Sequence, residues 1–212
     1  MGAVIESVVA RGVFATYGYF VADGESGRAL LVDPGAQPGL FAYTAERRGW
    51  EVEAMLLTHG HFDHTGAVND LRHAWGCPVY AHELAPRYLV DPQLNLSAMH
   101  GLDVRVPDVL PVRDGDRVSV AGGAVVFDVL HVPGHTYDSV ALHLASEGGA
   151  FGGDTVYDGG PGLTMFPTGD EAKLRRSIED KLLALPPDTM LLSGHYHPMA
   201  VEELDAVMRR GR

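Results

Sequence analysis

The 212-residue chain has a single cysteine, Cys77, so an internal disulfide framework is excluded. That scarcity fits a reducing compartment, and the expected location is the cytoplasm. No run approaches the roughly 20 consecutive apolar residues of a spanning helix. Met1 to Gly12 lacks a basic region followed by an apolar stretch, so neither a membrane partner nor a secretory leader is expected. Basic residues are few: 16 Lys and Arg stand against 28 Asp and Glu, a formal charge of −12. Phosphate backbones demand clustered cations, and nucleic acid is therefore not expected as a partner. The one basic cluster, Arg209-Arg210-Gly211-Arg212, reads as a solvated helix end. The composition is otherwise globular, with 46% hydrophobic and 21% charged residues. The length suits one domain over 1–212.

Strand and helix signals alternate along the chain. Phe14 to Val21 is rich in aromatic and β-branched residues and ends at Asp23-Gly24; Arg28 to Val32 follows and stops at Asp33-Pro34-Gly35. The pair reads as a hairpin. Helices are predicted over Gly39 to Arg48, Gly66 to Trp75, Glu171 to Leu185 and Val201 to Arg210. Short apolar runs at 54–57, 78–81, 150–153 and 189–192 read as buried strands, and 117–130 with 139–144 as three more. Residues 86–116 show little periodicity and read as a long surface excursion of the kind that forms lids. Strands in both halves with helices outside predict two sheets packed face to face between helical layers.

The chemistry is concentrated in Thr58-His59-Gly60-His61-Phe62-Asp63-His64. His59 and His61, two apart just past a strand, project to one side. Gly60 removes a Cβ between them, and Asp63 and His64 diverge where the next helix begins. Two pairs of ligands suit two metal ions a few ångströms apart. His135, Asp154 and His195 each follow a glycine at a strand-to-loop transition. Imidazole and carboxylate ligands favour zinc, with iron or manganese also compatible. Of the other histidines, His73, His131 and His143 lie inside element patterns and read as packing or surface residues. His82 and His100 are undecided. His197 is undecided too, a ligand-orienting role being one option two residues past His195, and Asp33 is placed to orient a ligand or to make a turn.

These motifs, from Asp33-Pro34-Gly35 to Pro198, resemble the metallo-β-lactamase superfamily in its hydroxyacylglutathione hydrolase (glyoxalase II)-like branch. The resemblance implies a four-layer αββα sandwich. It implies one metal on His59, His61 and His135, a second on Asp63, His64 and His195, and Asp154 bridging them. The implied activity is hydrolysis of a thioester or ester in a small-molecule substrate by a metal-bridging hydroxide, with Asp63 orienting the nucleophile or carrying a proton. Two departures weaken glutathione as the leaving group. Gly162-Leu163 stands where that branch has Gly-Arg, and the chain stops soon after His195, without the branch's helical extension. Tyr157 stands where phenylalanine is usual and resembles a tyrosine of N-acyl-homoserine lactonases that contacts the substrate carbonyl. Lactone hydrolysis is thus an alternative, with Tyr157 as a catalytic candidate. A mononuclear-iron persulfide dioxygenase and a non-catalytic di-iron scaffold are the others. The oligomeric state is open, a homodimer included.

Overall fold

A computed structural model describes residues 2–210. Gly211 and Arg212 of the basic end lie outside the described residues, while Arg209 pairs with Asp205 at 2.7 Å. The first sheet follows chain order, running β1 (Ala3–Arg11), β2 (Ala15–Asp23), β3 (Arg28–Val32), β4 (Glu51–Leu56), β5 (Val79–His82) and β6 (Leu110–Val112). In the second half come β7 (Arg117–Val120), β8 (Val125–His131), β9 (Val140–Leu144) and β10 (Gly149–Gly153). A two-stranded ribbon of β11 (Val156–Tyr157) and β12 (Gly160–Pro161) is followed by β13 (Met190–Ser193) and β14 (Met199–Ala200). The second sheet is ordered β14-β13-β10-β9-β8-β7.

Side-chain alternation builds the layers. Leu30 and Leu56 turn inward to meet Phe127, Val129 and Leu142 of the opposite sheet. Their neighbours Leu31 and Met55 face outward, against α1 (Pro38–Arg48), a short α2 (Phe62–Thr65) leading into α3 (Val68–Trp75), and α4 (Ala85–Val90). On the far side α5 (Glu171–Ser177) and α6 (Val201–Arg210) bury Leu174 and Leu204 against Ala150 and Leu191. The result is the expected αββα sandwich. Among the described residues, no helix is long and apolar enough to cross a membrane.

Three local expectations are corrected. No element was predicted before Phe14, yet β1 pairs with β2 over Ala3 to Arg11. It is an edge strand whose adjacent Glu6 and Ser7 break the alternation. The 86–116 stretch is not a free excursion, because it contains α4 and β6, which pairs parallel with β5. Asn95 pins it locally, donating to the Val104 carbonyl at 2.8 Å and accepting from Ser97 N at 3.0 Å. The helix predicted to Leu185 leaves α-geometry after Ser177; its last turn widens, Leu183 N reaching Ile178 O at 2.9 Å. That keeps both Ile178 and Leu182 in the core.

Candidate metal centre

The parallel pairs β3–β4 and β10–β13 end at one edge of the sandwich, and the chain leaving each delivers a polar side chain there. Asp33 follows β3, His59 follows β4, Asp154 follows β10 and His195 follows β13. His135 arrives from the loop after β8, and Asp63 and His64 from α2. Glycines make room for this convergence. A Cβ on Gly194 would lie 2.2 Å from His64 Cε1, and one on Gly60 would lie 2.6 Å from Tyr88 Cβ. Any side chain at Gly194 would displace His64.

All seven residues singled out from the sequence come together. His59 Nε2 and His135 Nε2 lie 3.1 and 3.0 Å from His61 Nδ1. His195 Nε2 is 3.2 Å from Asp63 Oδ2, and His64 Nε2 is 3.8 Å from the same atom. Asp154 stands between the groups. Its Oδ1 is 3.2 Å from His64 Nε2, and its Oδ2 lies 3.7 Å from His135 Nε2 and 3.5 Å from His195 Nε2.

The outer hydrogen bonds fix which ring nitrogens carry protons. His135 Nδ1–H donates to the Leu163 carbonyl at 2.7 Å and His195 Nδ1–H to the Ala15 carbonyl at 2.9 Å. Thr58 gives its hydroxyl proton to Asp33 Oδ2 at 2.5 Å, so its oxygen accepts from His59 Nδ1 at 3.1 Å. His64 Nδ1–H donates to Asp33 Oδ2 at 2.9 Å. Four Nε2 atoms are thereby turned inward, toward the cluster. Asp33 also lies within ligand distance of His59 and His64. Its oxygens, however, are taken up by His64, Thr58 Oγ1 and, at 2.8 Å, Thr58 N, so its hydrogen bonds orient His64 and, through Thr58, His59.

The electrostatics call for cations. Burial holds His59 well below its usual range, pushes His61 down to about 3 and depresses His135, so the first triad is neutral and basic at nitrogen. In the second group burial opposes charge, yet Asp154 and Asp63 hold His64 well above its usual range. His195, against the same desolvation, is raised by Asp63 and Asp154. Both carboxylates sit below their usual range in spite of burial, drawn down by His64 above all. His64 Nε2 and Asp154 Oδ1 are buried without a hydrogen bond. Two acids and five imidazoles in this space fit divalent cations, which would replace the protons on the second group.

Tyr157 reaches the cluster too, its hydroxyl donating to Asp154 Oδ2 at 2.9 Å. His197 does not, being exposed on the surface. His73 is exposed, while His131 stacks on buried His82 with ring centroids 4.0 Å apart. His143 is 4.0 Å from Asp128, and exposed His100 packs edge-on against Phe14. Sequence reasoning missed Thr16, whose hydroxyl donates to Asp63 Oδ2 at 3.2 Å. It also missed the carbonyls of Ala15 and Leu163, which leave no side-chain signature. The pocket over the cluster, about 200 Å³, is walled by Phe14, Leu96, Leu163, Phe166 and Tyr196.

Comparisons with known proteins agree with this geometry. The family model of the metallo-beta-lactamase superfamily matches residues 11–195. The chain is 35% identical over 169 residues to the probable metallo-hydrolase YqgX of Bacillus subtilis, covering 79% of this chain and 80% of that one. It is 31% identical over 170 residues to the hydroxyacylglutathione hydrolase GloC of Haemophilus influenzae, covering 79% of each. Among solved structures, the BLEG-1 B3 metallo-beta-lactamase superposes with a TM-score of 0.88 at 30% identity, over 94% of this chain and 95% of that one. The di-iron-bound form of TTHA1623 superposes with a TM-score of 0.82 at 33% identity, over 95% and 96%. The chain belongs to the metallo-beta-lactamase superfamily.

Proposed function

We propose that the chain is a cytoplasmic hydrolase that cleaves a thioester or ester of a small molecule with the help of two divalent metal ions. The observation that carries this reading is Asp154, which stands between the two ligand groups: its Oδ2 lies 3.7 Å from His135 of the first and 3.5 Å from His195 of the second, and its Oδ1 is turned to His64 of the second. His59, His61 and His135 would hold one ion, Asp63, His64 and His195 the other, and Asp154 would touch both. Bound there, such a pair supplies Lewis acidity and lowers the pKa of water toward neutrality. In the net reaction the water oxygen bonds to the acyl carbon, the C–S or C–O bond breaks, and the proton ends on the leaving thiol or alcohol.

The chain's own residues supply orientation and a dry pocket. Thr16 and His195 both meet Oδ2 of Asp63, holding the carboxylate at the cluster to orient a nucleophile or carry a proton. Leu96, Leu163 and Phe166 keep bulk water from the reacting carbonyl. Zinc suits the donor set; iron is supported by the di-iron relative. The thioester is favoured by the likeness to a hydroxyacylglutathione hydrolase.

Lactone hydrolysis is the second reading, favoured by Tyr157. Burial and Asp154 push its phenol up, so it stays protonated. Its hydroxyl lies on the pocket wall, a position from which it can donate to a developing oxyanion. The test is metal content combined with a panel of a glutathione thioester, a homoserine lactone and a simple aryl ester. Hydrolysis of at least one, requiring bound metal, is expected. One iron per chain with oxygen consumed and nothing hydrolysed would overturn the reading in favour of a dioxygenase.

A further inference from the structure

A second pocket lies beside the metal-ligand cluster, outside the one that covers it. Its volume is about 230 Å³, and its apolar walls are Val13, Phe14, Ala36, Phe62, Leu102 and Val104. Asp63 and Phe14 are walls of both pockets, so the cavities meet at these two side chains. Asp63 is the one charged wall. The polar end of Gln37, also on the rim, already accepts from Arg11 N at 2.8 Å.

Phe14 at the junction and Leu102 within the second pocket are not core residues. Phe14 is 46% exposed and Leu102 44%, although each sits beside buried apolar surface. Phe14 is braced by His100, edge-on at 5.3 Å, and by Phe62 at 6.1 Å. Apolar side chains held half-exposed around a cavity gain by being covered, at about 25 cal/mol per Å² of apolar area. No lysine or arginine lines either pocket among the described residues.

We propose that this pocket receives the tail of the acyl group: an uncharged, unbranched alkyl chain running from a carbonyl at the ligand cluster past Phe14. The inference rests on the acyl-hydrolase reading and specifies its substrate class as medium-chain acyl thioesters or esters. An apolar cavity of ~150 Å³ takes benzene. At the same packing, 230 Å³ takes about nine carbons. A tail ending in a carboxylate would bury its charge among apolar walls that carry no lysine or arginine, and is selected against.

The experiment is a chain-length series of neutral N-acetylcysteamine thioesters, from acetyl to dodecanoyl, on the metal-loaded protein. It is paired with calorimetric binding of octanamide to metal-free protein. Each buried methylene raises kcat/KM about fourfold, so the profile climbs and levels off near decanoyl. Adipoyl thioester falls below hexanoyl. Leu102→Asp, on an exposed position that tolerates charge, collapses the octanoyl-to-acetyl ratio and abolishes octanamide binding. A flat series with every member hydrolysed overturns the tail pocket and leaves acyl hydrolysis standing. Octanamide binding that Leu102→Asp removes, with neither these thioesters nor the aryl ester and lactone of the panel hydrolysed, upholds the pocket and sinks the hydrolase reading. Absence of octanamide binding and of hydrolysis across both the series and the panel overturns the two together.

Discussion

Asp33 and His64 are joined by a 2.9 Å hydrogen bond from the ring Nδ1 to a carboxylate that also takes the Thr58 hydroxyl. One acid thus fixes the tautomer of His64 directly and of His59 through Thr58. Partners that orient ligands in this way are typically worth about 10- to 100-fold in metal affinity. Asp33→Ala is expected to weaken metal binding by that factor, measured by competition with a chromophoric chelator. Unchanged affinity would mean that Asp33 serves its turn alone.

Asp63 belongs to the second ligand group only. Asp63→Ala is expected to leave the His59, His61 and His135 triad intact and to reduce bound metal from about two ions to about one per chain. Turnover should fall by more than about 100-fold, since a direct ligand matters more than a residue that orients one. Near-normal turnover would remove Asp63 from the machinery.

Tyr157 separates two roles. Tyr157→Phe keeps the ring and removes only the hydroxyl that donates to Asp154. If the phenol stabilises developing charge, kcat on an ester or lactone falls by about 100-fold with metal content unchanged. Full activity would assign Tyr157 to packing.

Asp138 predicts a pH effect on stability. It is fully buried, and burial pushes its carboxyl up to about 6, against a smaller pull from Thr136 and nearby amides. Neither oxygen makes a well-aligned hydrogen bond. A raised acid costs stability as pH climbs, beginning near the unfolded pKa of about 4 and complete above about 6. Asp138→Asn should therefore stabilise the protein at pH 7.5 by roughly 1–3 kcal/mol, with the gain vanishing below about pH 4. Equal Tm differences at both pH values would contradict this.

The sequence disclosed the His and Asp cluster and the sandwich for one reason. A metal site needs particular side chains, and a strand buried on both faces needs an unbroken apolar run. His59 to His64 and Ala54 to Leu57 meet those demands in consecutive residues. Other features escaped because they are written in backbone atoms or in distant partners. The carbonyls of Ala15 and Leu163 aim His195 and His135 whatever side chains those positions carry. The 86–116 segment is ordered by Asn95 bonding locally and by β6 pairing with β5, which leaves no periodicity. Strand β1 was hidden by its edge position, where one face need not be apolar. Leu163 matters in a way its identity did not suggest, its carbonyl holding the His135 ring while its side chain walls the pocket.

The central claim is that the cluster works as a two-ion hydrolytic centre divided by Asp154. The most direct measurement is titration of metal-free protein with zinc, following thioester or ester hydrolysis against equivalents bound. The account predicts that activity reaches its plateau at two ions per chain, and that Asp154→Ala binds fewer and loses hydrolysis. A plateau at one ion, with Asp154→Ala hydrolysing as fast as the unaltered protein, would contradict it.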